Sequence, residues 1–380
     1  MRLRLCFVVE SGTDVRMVEG MASRFTLSVL ARRIGGGVEI SRPPDQPMSV
    51  TVGPSSRIGF ARVVFNYLRA RRFDFDHVVV QGYGTAAVAA NLAGRITAVP
   101  TTMMVCSPVE AYYRCRALTA DSDKPFRRRE LLGLLAAARV NARIGYRYVV
   151  LSQYLRDVVR GHGTRKPIHV IPVYGVDTLA FSPSTKLKRE LKALRGLPET
   201  GAIILFSSRI APEKDADTLL AAFRELILEG RDLWLLHRSG GYQSFLAAAR
   251  RFSIDHRVIA TDAVDPRHEL PNDYRAADLC VQASREEGLG FSVLESMACG
   301  IPVVAAETGG LRETVVDGET GWLFPAGDFR ALAGCVRAAL DDPVEARKRA
   351  IRGRELVCLR FDESTSFANF ESAIRLSATR

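Results

Sequence analysis

The chain has 380 residues, enough for two domains of ordinary size, and its 47% hydrophobic and 25% charged residues are typical of a globular protein. Seven scattered cysteines, none in a Cys-x-x-Cys pair, argue against a disulfide framework or a zinc site and favour a reducing compartment. No apolar run reaches the roughly 18 residues of a transmembrane helix, and the apolar residues 5–9 read as a first strand rather than a signal peptide.

The net charge of +11 comes from the first half of the chain. Residues 1–180 hold 26 Lys and Arg against 13 Asp and Glu, whereas residues 181–380 hold 27 against 29. A basic half of this kind indicates an anionic partner. No helix-turn-helix, zinc-finger or RNA-binding motif accompanies the charge, so we expect no nucleic acid among the partners.

Short apolar strands alternate with helical stretches along the chain. In the first half the predicted strands lie at about 3–9, 24–30, 77–81, 98–104, 147–151 and 168–172. In the second half they lie at about 202–207, 232–237, 257–260, 278–282, 302–305 and 321–324. Strands that alternate with helices form parallel sheets, so the sequence predicts an α/β protein with two doubly wound Rossmann-like domains and a ligand cleft between them.

A break in this pattern near residues 175–200 marks the domain boundary. A polar, basic run at 184–200 follows the last strand of the first half. We therefore expect domains at 1–175 and 176–360. The tail, 361–380, is weakly amphipathic and is predicted to form a helix that packs back on the first domain.

Three strand-to-helix turns of the second half carry candidate ligand-binding groups. In SSRIAPEKD (207–215), Arg209 and Lys214 could bind phosphate oxygens. In EGLGFSVLESMACGIPVVA (287–305), two carboxylates eight positions apart flank two glycines and a helix start, a set suited to sugar hydroxyls and phosphate. The turn TGG at 308–310 could present further N–H groups to phosphate. Each turn alone is also compatible with an ordinary solvated loop.

Together these turns resemble the retaining GT-B glycosyltransferases of family 4, the glycosyl transferases group 1. TGGLRETVVDGETGWLF (308–324) extends the resemblance, and VVLSQYLRDVV and VIPVYGVDTLAFSP extend it into the region before the second domain. The resemblance implies the GT-B fold, with a first domain that binds the acceptor and a second that binds the nucleotide sugar. It also implies a hexosyltransferase (EC 2.4) that acts with retention at the anomeric carbon.

The resemblance assigns roles residue by residue. Arg209 and Lys214 would hold the donor diphosphate, and Glu287 would contact the transferred sugar; these three are the implied catalytic residues. Glu295 would accept hydrogen bonds from the ribose hydroxyls. The remaining implied donor-binding residues are Gly12, Thr13, Gly288, Leu289, Gly290, Phe291, Thr308, Gly309, Gly310 and Leu311.

The chain departs from the family pattern in the first domain. The turn after the first strand has one glycine where the family usually has two, and MMVCSPVEAYYRCR (103–116) lacks the histidine that the family often places near the sugar. Ser107, Glu110 or Tyr112 are the candidates to replace it on the acceptor side. The loop HRSGGYQS (237–244) also differs from the usual Gly-rich turn, so the donor sugar stays open.

The expected reaction moves a sugar from a nucleotide-diphosphate sugar to a sugar, lipid-linked or small-molecule acceptor. No Asp-x-Asp motif stands at a strand end, so we expect no obligatory metal and no other cofactor. The basic, helix-prone segment 125–148 fits either a membrane surface or a helix packed on the sheet. We expect a cytoplasmic protein, with contact to the inner face of the membrane left open.

Glycolipid, polysaccharide or other glycoconjugate synthesis in a bacterium is the function that these features favour. Three alternatives remain at the sequence level. They are glycosylation of a small-molecule natural product, a sugar-nucleotide epimerase of the same fold, and a non-catalytic nucleotide-sugar-binding protein.

Overall fold

The computed structural model describes residues 2–34, 48–118 and 126–378, and the chain divides into two compact units. The first unit holds the described residues up to Glu110, Arg127–Gly175 and the C-terminal residues from Ser364. The second holds Val176–Glu363 and the described part of Ala111–Phe126. Residue 125 of the predicted basic helix and residues 379–380 of the predicted tail lie outside the described residues.

The first unit is built on a seven-stranded sheet whose paired strands are all parallel. Its strands are β1 (Arg4–Val9), β2 (Thr26–Arg32), β3 (Met48–Gly53), β4 (His77–Gln81), β5 (Thr101–Val105), β6 (Arg147–Val150) and β7 (Ile168–Val170), in the spatial order β3-β2-β1-β4-β5-β6-β7. The helices that begin between them are α1 (Val15–Arg24), α2 (Arg57–Ala70), α3 (Thr85–Thr97), α4 (Val109–Cys115), α5 (Arg128–Ile144) and α6 (Gln153–Gly161).

The apolar runs of the sequence become the central strands of this sheet. All five residues of β5 and the last five residues of β1 are buried, because helices cover both faces of a parallel sheet. Side chains start several of the helices: Asp14 accepts from a backbone N–H in the first turn of α1, and Ser152 does the same for α6. Such caps satisfy N–H groups that the helix itself cannot.

The second unit is built on a six-stranded parallel sheet. Its strands are β8 (Ala202–Phe206), β9 (Leu233–Arg238), β10 (Val258–Thr261), β11 (Leu279–Gln282), β12 (Val303–Ala306) and β13 (Trp322–Phe324), in the order β10-β9-β8-β11-β12-β13. Its helices are α7 (Lys188–Leu194), α8 (Ala216–Leu228), α9 (Tyr242–Arg251), α10 (Leu270–Ala276), α11 (Phe291–Ala298), α12 (Leu311–Thr314), α13 (Phe329–Asp341) and α14 (Pro343–Arg360). The strand order reverses between β8 and β11, the position where open α/β sheets bind ligands.

The C-terminal helix α15 (Glu363–Ala378) belongs to the first unit from Ser364 onward. Its apolar residues Phe367, Phe370 and Ile374 are fully buried, and the Phe370 ring meets Phe25 edge-on at 6.3 Å. The i, i+3, i+7 spacing of the three places them on one face of the helix. The weak amphipathic pattern of the tail therefore corresponds to a narrow, well-buried stripe.

The prediction of two doubly wound Rossmann-like domains is confirmed. The sequence analysis missed β3, and the structure groups the described residues of 111–126 with the second unit rather than the first. The roles predicted for the two domains, acceptor binding and donor binding, stay predictions.

Candidate functional site

Three loops of the second unit leave the carboxyl ends of neighbouring strands. They follow β8, β11 and β12, and β11 pairs with both of the other strands. The first loop carries Arg209 and Lys214, the second Glu287 and Gly288–Gly290, and the third Thr308–Gly310. The carboxyl edge of this sheet thus brings together the three motifs that the sequence analysis singled out.

Lys214 and Glu287 form the centre of this edge. The Lys214 Nζ lies 2.5 Å from the Glu287 Oε2, and the two side chains are only 12% and 11% exposed. A short 3₁₀ turn, Pro212–Lys214, ends at Asp215, whose φ of 48° redirects the chain into α8. This turn places the lysine over the second loop.

The carboxylate of Glu287 is held through one oxygen. Its Oε2 also accepts from Ser284 Oγ at 3.2 Å and from Gln282 Nε2 at 3.4 Å. Oε1 has no hydrogen-bond partner among the described residues, and the Lys214 ammonium has no acceptor there other than Glu287. An oxygen and two ammonium protons thus stay available to a ligand with hydroxyl and anionic groups.

Arg209 is placed differently from Lys214. Its side chain is 64% exposed and pairs with Glu213, with Nη2 to Oε1 at 2.7 Å. A third cation, Arg285, pairs with Asp215 at 2.9 Å. The edge therefore holds its cations paired one to one with carboxylates, and an anionic ligand would have to draw Arg209 away from Glu213. Arg285 was not among the predicted residues.

The predicted glycines bring the second and third loops into contact. A Cβ on Gly310 would overlap the carbonyl oxygen of Gly288, and Gly290 has a φ of 99°. The Gly310 N–H donates to the Glu287 carbonyl at 2.9 Å. Leu289 and Leu311 are buried. Close packing accounts for these glycines whether or not their backbone also meets a ligand.

The remaining predicted residues of these loops take up the following places. Thr308 donates its hydroxyl to the Arg285 carbonyl at 2.8 Å, and Gly309 has a φ of 46°. Phe291 is the first residue of α11. Thr308 and Gly309 thus shape the third loop, and Phe291 opens the helix that follows the second.

Glu295 lies on α11 and is almost fully buried. Its Oε2 accepts from the hydroxyl of Tyr274 at 2.9 Å. Burial, and then the negative charge of Glu295, raise the pKa of Tyr274 well above its usual value, so the phenol stays a donor. A ribose that used this carboxylate would share it with Tyr274, a residue that the sequence analysis did not identify.

In the first unit, Gly12 and Thr13 form the turn after β1. The carbonyl of Gly12 accepts from Gln81 Nε2 at 3.4 Å, and the hydroxyl of Thr13 lies 3.7 Å from the Met17 sulfur. The adjacent Glu10 accepts from the Ala86 N–H at 3.3 Å, at the start of α3. Glu10 therefore serves as a helix cap across the turn.

Glu110 lies at the centre of a buried cluster in the first unit. It accepts from the hydroxyl of Tyr83 and lies 2.8 Å from His162 Nε2. Residues 103–116 contain no histidine, but the fold brings His162 to Glu110 from 52 positions later in the chain. The other acceptor-side candidates, Ser107 and Tyr112, are half-buried.

No group of three or more His, Cys, Asp and Glu side chains among the described residues is arranged to hold a metal ion. None of the described helices is both long and apolar enough to cross a membrane.

Comparison with known proteins relates the second unit to one family. Residues 188–355, which lie within the second unit, match the profile of the family Glycosyl transferases group 1. Over these residues the chain is similar to the glycosyltransferases of that group. Together with the two Rossmann-like units, this similarity defines the GT-B fold.

Curated relatives show what the chain is similar to. It is 34% identical to a GDP-mannose-dependent alpha-(1-6)-phosphatidylinositol monomannoside mannosyltransferase of Mycolicibacterium smegmatis over 191 residues, 47% of this chain and 49% of that protein. It is 28% identical to a D-inositol 3-phosphate glycosyltransferase of Acidothermus cellulolyticus over 349 residues, 87% of this chain and 74% of that protein. In most of these matches the chain spans about half the length of the relative.

Solved structures extend the likeness of fold to nearly the whole chain. Anabaena HepE in complex with UDP-glucose is 18% identical, with a TM-score of 0.80 and coverage of 98% of this chain and 99% of that one. A sucrose-phosphate synthase from Thermosynechococcus elongatus is 21% identical, with a TM-score of 0.79 and coverage of 99% and 100%.

Proposed function

We propose that the protein is a retaining glycosyltransferase that moves a sugar from a nucleotide-diphosphate sugar to an acceptor, with Lys214 and Glu287 at the donor site. The observation that carries the proposal is the nearly buried Lys214–Glu287 pair at the strand-order reversal of the second sheet. The match of residues 188–355 to the group 1 glycosyltransferases supports it.

The pair suits the chemistry of glycosyl transfer. As the acceptor hydroxyl bonds to the anomeric carbon and the bond from that carbon to the diphosphate oxygen breaks, negative charge grows on the leaving diphosphate, which can take the hydroxyl proton. The nearly buried Lys214 ammonium would stabilise that charge, with Arg209 at the exposed rim. Glu287 would accept a sugar hydroxyl through Oε1 while Oε2 stays engaged. No step requires a metal ion, and we propose metal-independent catalysis.

The relatives suggest the classes of donor and acceptor. One is named for GDP-mannose and a phosphatidylinositol mannoside, others for inositol 3-phosphate, and HepE was solved with UDP-glucose. We propose a nucleoside diphosphate hexose as the donor. For the acceptor we propose a lipid-linked or other glycoconjugate intermediate, made at the cytoplasmic side of a membrane. Natural-product glycosylation, epimerisation and simple nucleotide-sugar binding remain the alternatives.

A thermal-shift screen tests the donor site. UDP, GDP, ADP and their common sugar conjugates would each be added to the protein with EDTA present. We expect one nucleotide family to raise the melting temperature, and the shift to disappear in Lys214→Met. No shift with any nucleotide would contradict the proposed donor site.

Three neighbouring helices of the first unit offer a surface for a membrane. The helices α2, α3 and α5 pack in sequence, α2 on α3 and α3 on α5. They carry eight arginines and one glutamate, and all eight arginines are exposed. Only Arg57 forms an ion pair with a described residue, a contact of 4.0 Å to Glu10. We name these three helices the basic layer.

The basic layer also exposes apolar side chains. Ile96 is 63% exposed and Leu132 is 57% exposed, and Ile58, Leu92 and Val140 are exposed as well. An anionic bilayer offers both charge and apolar depth, whereas a soluble polyanion offers charge alone. We propose that the basic layer docks on anionic lipid.

Vesicle sedimentation tests this docking. We expect the protein to sediment with vesicles containing phosphatidylglycerol and not with pure phosphatidylcholine. The variant Arg139→Glu/Arg143→Glu should lose binding, whereas Arg347→Glu/Arg352→Glu, with the same charge change on exposed positions of α14, should keep it. Equal binding of the two double variants, or no binding by the unaltered protein, would refute the docking surface.

A further inference from the structure

Gln282 is the last residue of β11 and stands beneath the candidate donor site. Its side chain is completely buried. The loops that carry Lys214 and Glu287 leave β8 and β11, and α11 begins after the second of these loops, at Gly290 and Phe291. A buried amide in an otherwise apolar strand is costly unless its hydrogen bonds are satisfied.

All the polar capacity of this amide is used. Its oxygen accepts from Ser208 Oγ at 3.2 Å and from Ser292 Oγ at 2.8 Å. Its nitrogen donates to Ser284 Oγ at 2.6 Å and to Glu287 Oε2 at 3.4 Å. Because a carboxylate only accepts, the N–H side of the amide must face Glu287, which fixes the orientation of the whole group.

These contacts link every loop that supplies the central pair. Ser208 belongs to the loop after β8, Ser284 to the loop after β11, and Ser292 to the first turn of α11. The Nε2 of Gln282 donates to the Oε2 of Glu287, and the hydroxyl of Ser284, which Gln282 also contacts, donates to the same oxygen. Lys214 binds this oxygen as well. The oxygen Oε1 takes no part in these described contacts.

We propose that Gln282 is a positioning residue that holds Glu287 with Oε1 toward the donor sugar and Oε2 toward Lys214. This inference rests on the proposed function, because its consequence is a donor site that is ordered before the ligand arrives. Such preorganisation lowers the barrier to reaction more than it improves ligand binding. A core residue that only fills space would instead affect stability.

Two variants of Gln282 separate positioning from packing. Gln282→Glu keeps the shape but sets a second carboxylate against Glu287. We expect turnover to fall by about 10- to 100-fold, with the KM for the donor changed less than about threefold. Because like charges raise a carboxyl pKa, the lost turnover should return in part as the pH is lowered from about 8 to about 6, when the introduced carboxyl is protonated and can again donate to Glu287.

Gln282→Met is the uncharged counterpart. It removes the amide without introducing a buried charge, so it should fold even if the glutamate variant does not. We expect its turnover to fall to a similar degree with no recovery at lower pH. Normal turnover of the methionine variant would overturn the proposal, as would a turnover loss in the glutamate variant that is constant with pH.

A buried amide far along the chain provides the matched control. Asn91 of α3 is also completely buried and bonds to Thr101 at 2.5 Å and Asn141 at 2.9 Å. Asn91→Asp should lower the melting temperature while the pH dependence of turnover follows that of the unaltered protein.

The donor for these assays is chosen by titrating UDP-glucose, GDP-mannose and ADP-glucose into the unaltered protein. If none of them binds, the proposed function fails and the positioning role fails with it. If one binds and both Gln282 variants turn it over normally, only the positioning role fails.

Discussion

Removal of the Lys214 ammonium is the perturbation that bears most directly on the proposed chemistry. In Lys214→Met the chain keeps a side chain of similar length, but Glu287 loses the partner that lies 2.5 Å from its Oε2. Loss of a preorganised charge that stabilises a leaving group costs about 3–4 kcal/mol, or about 10²- to 10³-fold in turnover. We expect kcat of Lys214→Met to fall by that factor.

The same substitution also affects stability. Breaking a buried ion pair from one side costs up to about 3–5 kcal/mol. Glu287 retains hydrogen bonds from Ser284 and Gln282, and its side chain is 11% exposed. We therefore expect a cost at the lower end of that range and a folded variant.

Lys192→Met is the matched control. The Lys192 side chain is 8% exposed, and its Nζ bonds to the Gly201 carbonyl at 2.8 Å and lies 3.4 Å from Asp278. Gly201 and Asp278 precede β8 and β11, so this lysine stands at the opposite edge of the same sheet. It should lose stability and keep turnover.

The assay is donor turnover, measured as nucleoside diphosphate released with acceptor present, beside melting temperatures of all three proteins. Turnover of Lys214→Met within about threefold of the unaltered protein would refute the assigned role. An equal loss of turnover in Lys192→Met would show that the effect of Lys214→Met comes from lower stability rather than from the donor site.

The remaining predictions concern stability and donor binding. Burial lowers the pKa of His237 to about 4, below its usual 6.5. Between these two values the unfolded chain binds more protons than the folded one, so the free energy of unfolding should fall by up to about 3 kcal/mol as the pH drops through this window. Urea unfolding at a series of pH values measures the loss, which should be smaller in His237→Phe. Gly310→Ala should lower the melting temperature because its Cβ would overlap the Gly288 carbonyl. Gly334→Ala in α13, where the nearest atom to an added Cβ is the Arg337 Nη2 at 3.9 Å, should instead raise stability by roughly 0.5–1 kcal/mol. Glu295→Ala should raise the Kd for the donor, measured by calorimetry, by a larger factor than it lowers kcat, measured in the turnover assay.

Most of the fold could be predicted because its strands are apolar runs bounded by turns. The observed β1, β4 and β8 begin and end within about a residue of the predicted runs. The strand β3 escaped prediction because it is half-exposed at a sheet edge and its polar residues Ser49 and Thr51 alternate with its two valines. An edge strand buries too little to need a continuous apolar run.

The site was predictable only as far as local motifs reach. Lys214 and Glu287 stand in recognisable loops, and their placement at one sheet edge follows from parallel strand order. Gln282 gave no signal, because a single amide in a strand has no pattern until the side chains around it are placed. The pairing of Glu110 with His162 spans 52 positions, and no local pattern joins the two residues.

Calorimetric titration of the unaltered protein and Lys214→Met with UDP-glucose, GDP-mannose and ADP-glucose, in EDTA, tests the central claim most directly. The account predicts that one of the three donors binds the unaltered protein and binds the variant at least about tenfold more weakly. Equal affinity for both proteins, or no binding of any of the three donors to the unaltered protein, would contradict a nucleotide-sugar site at Lys214 and Glu287.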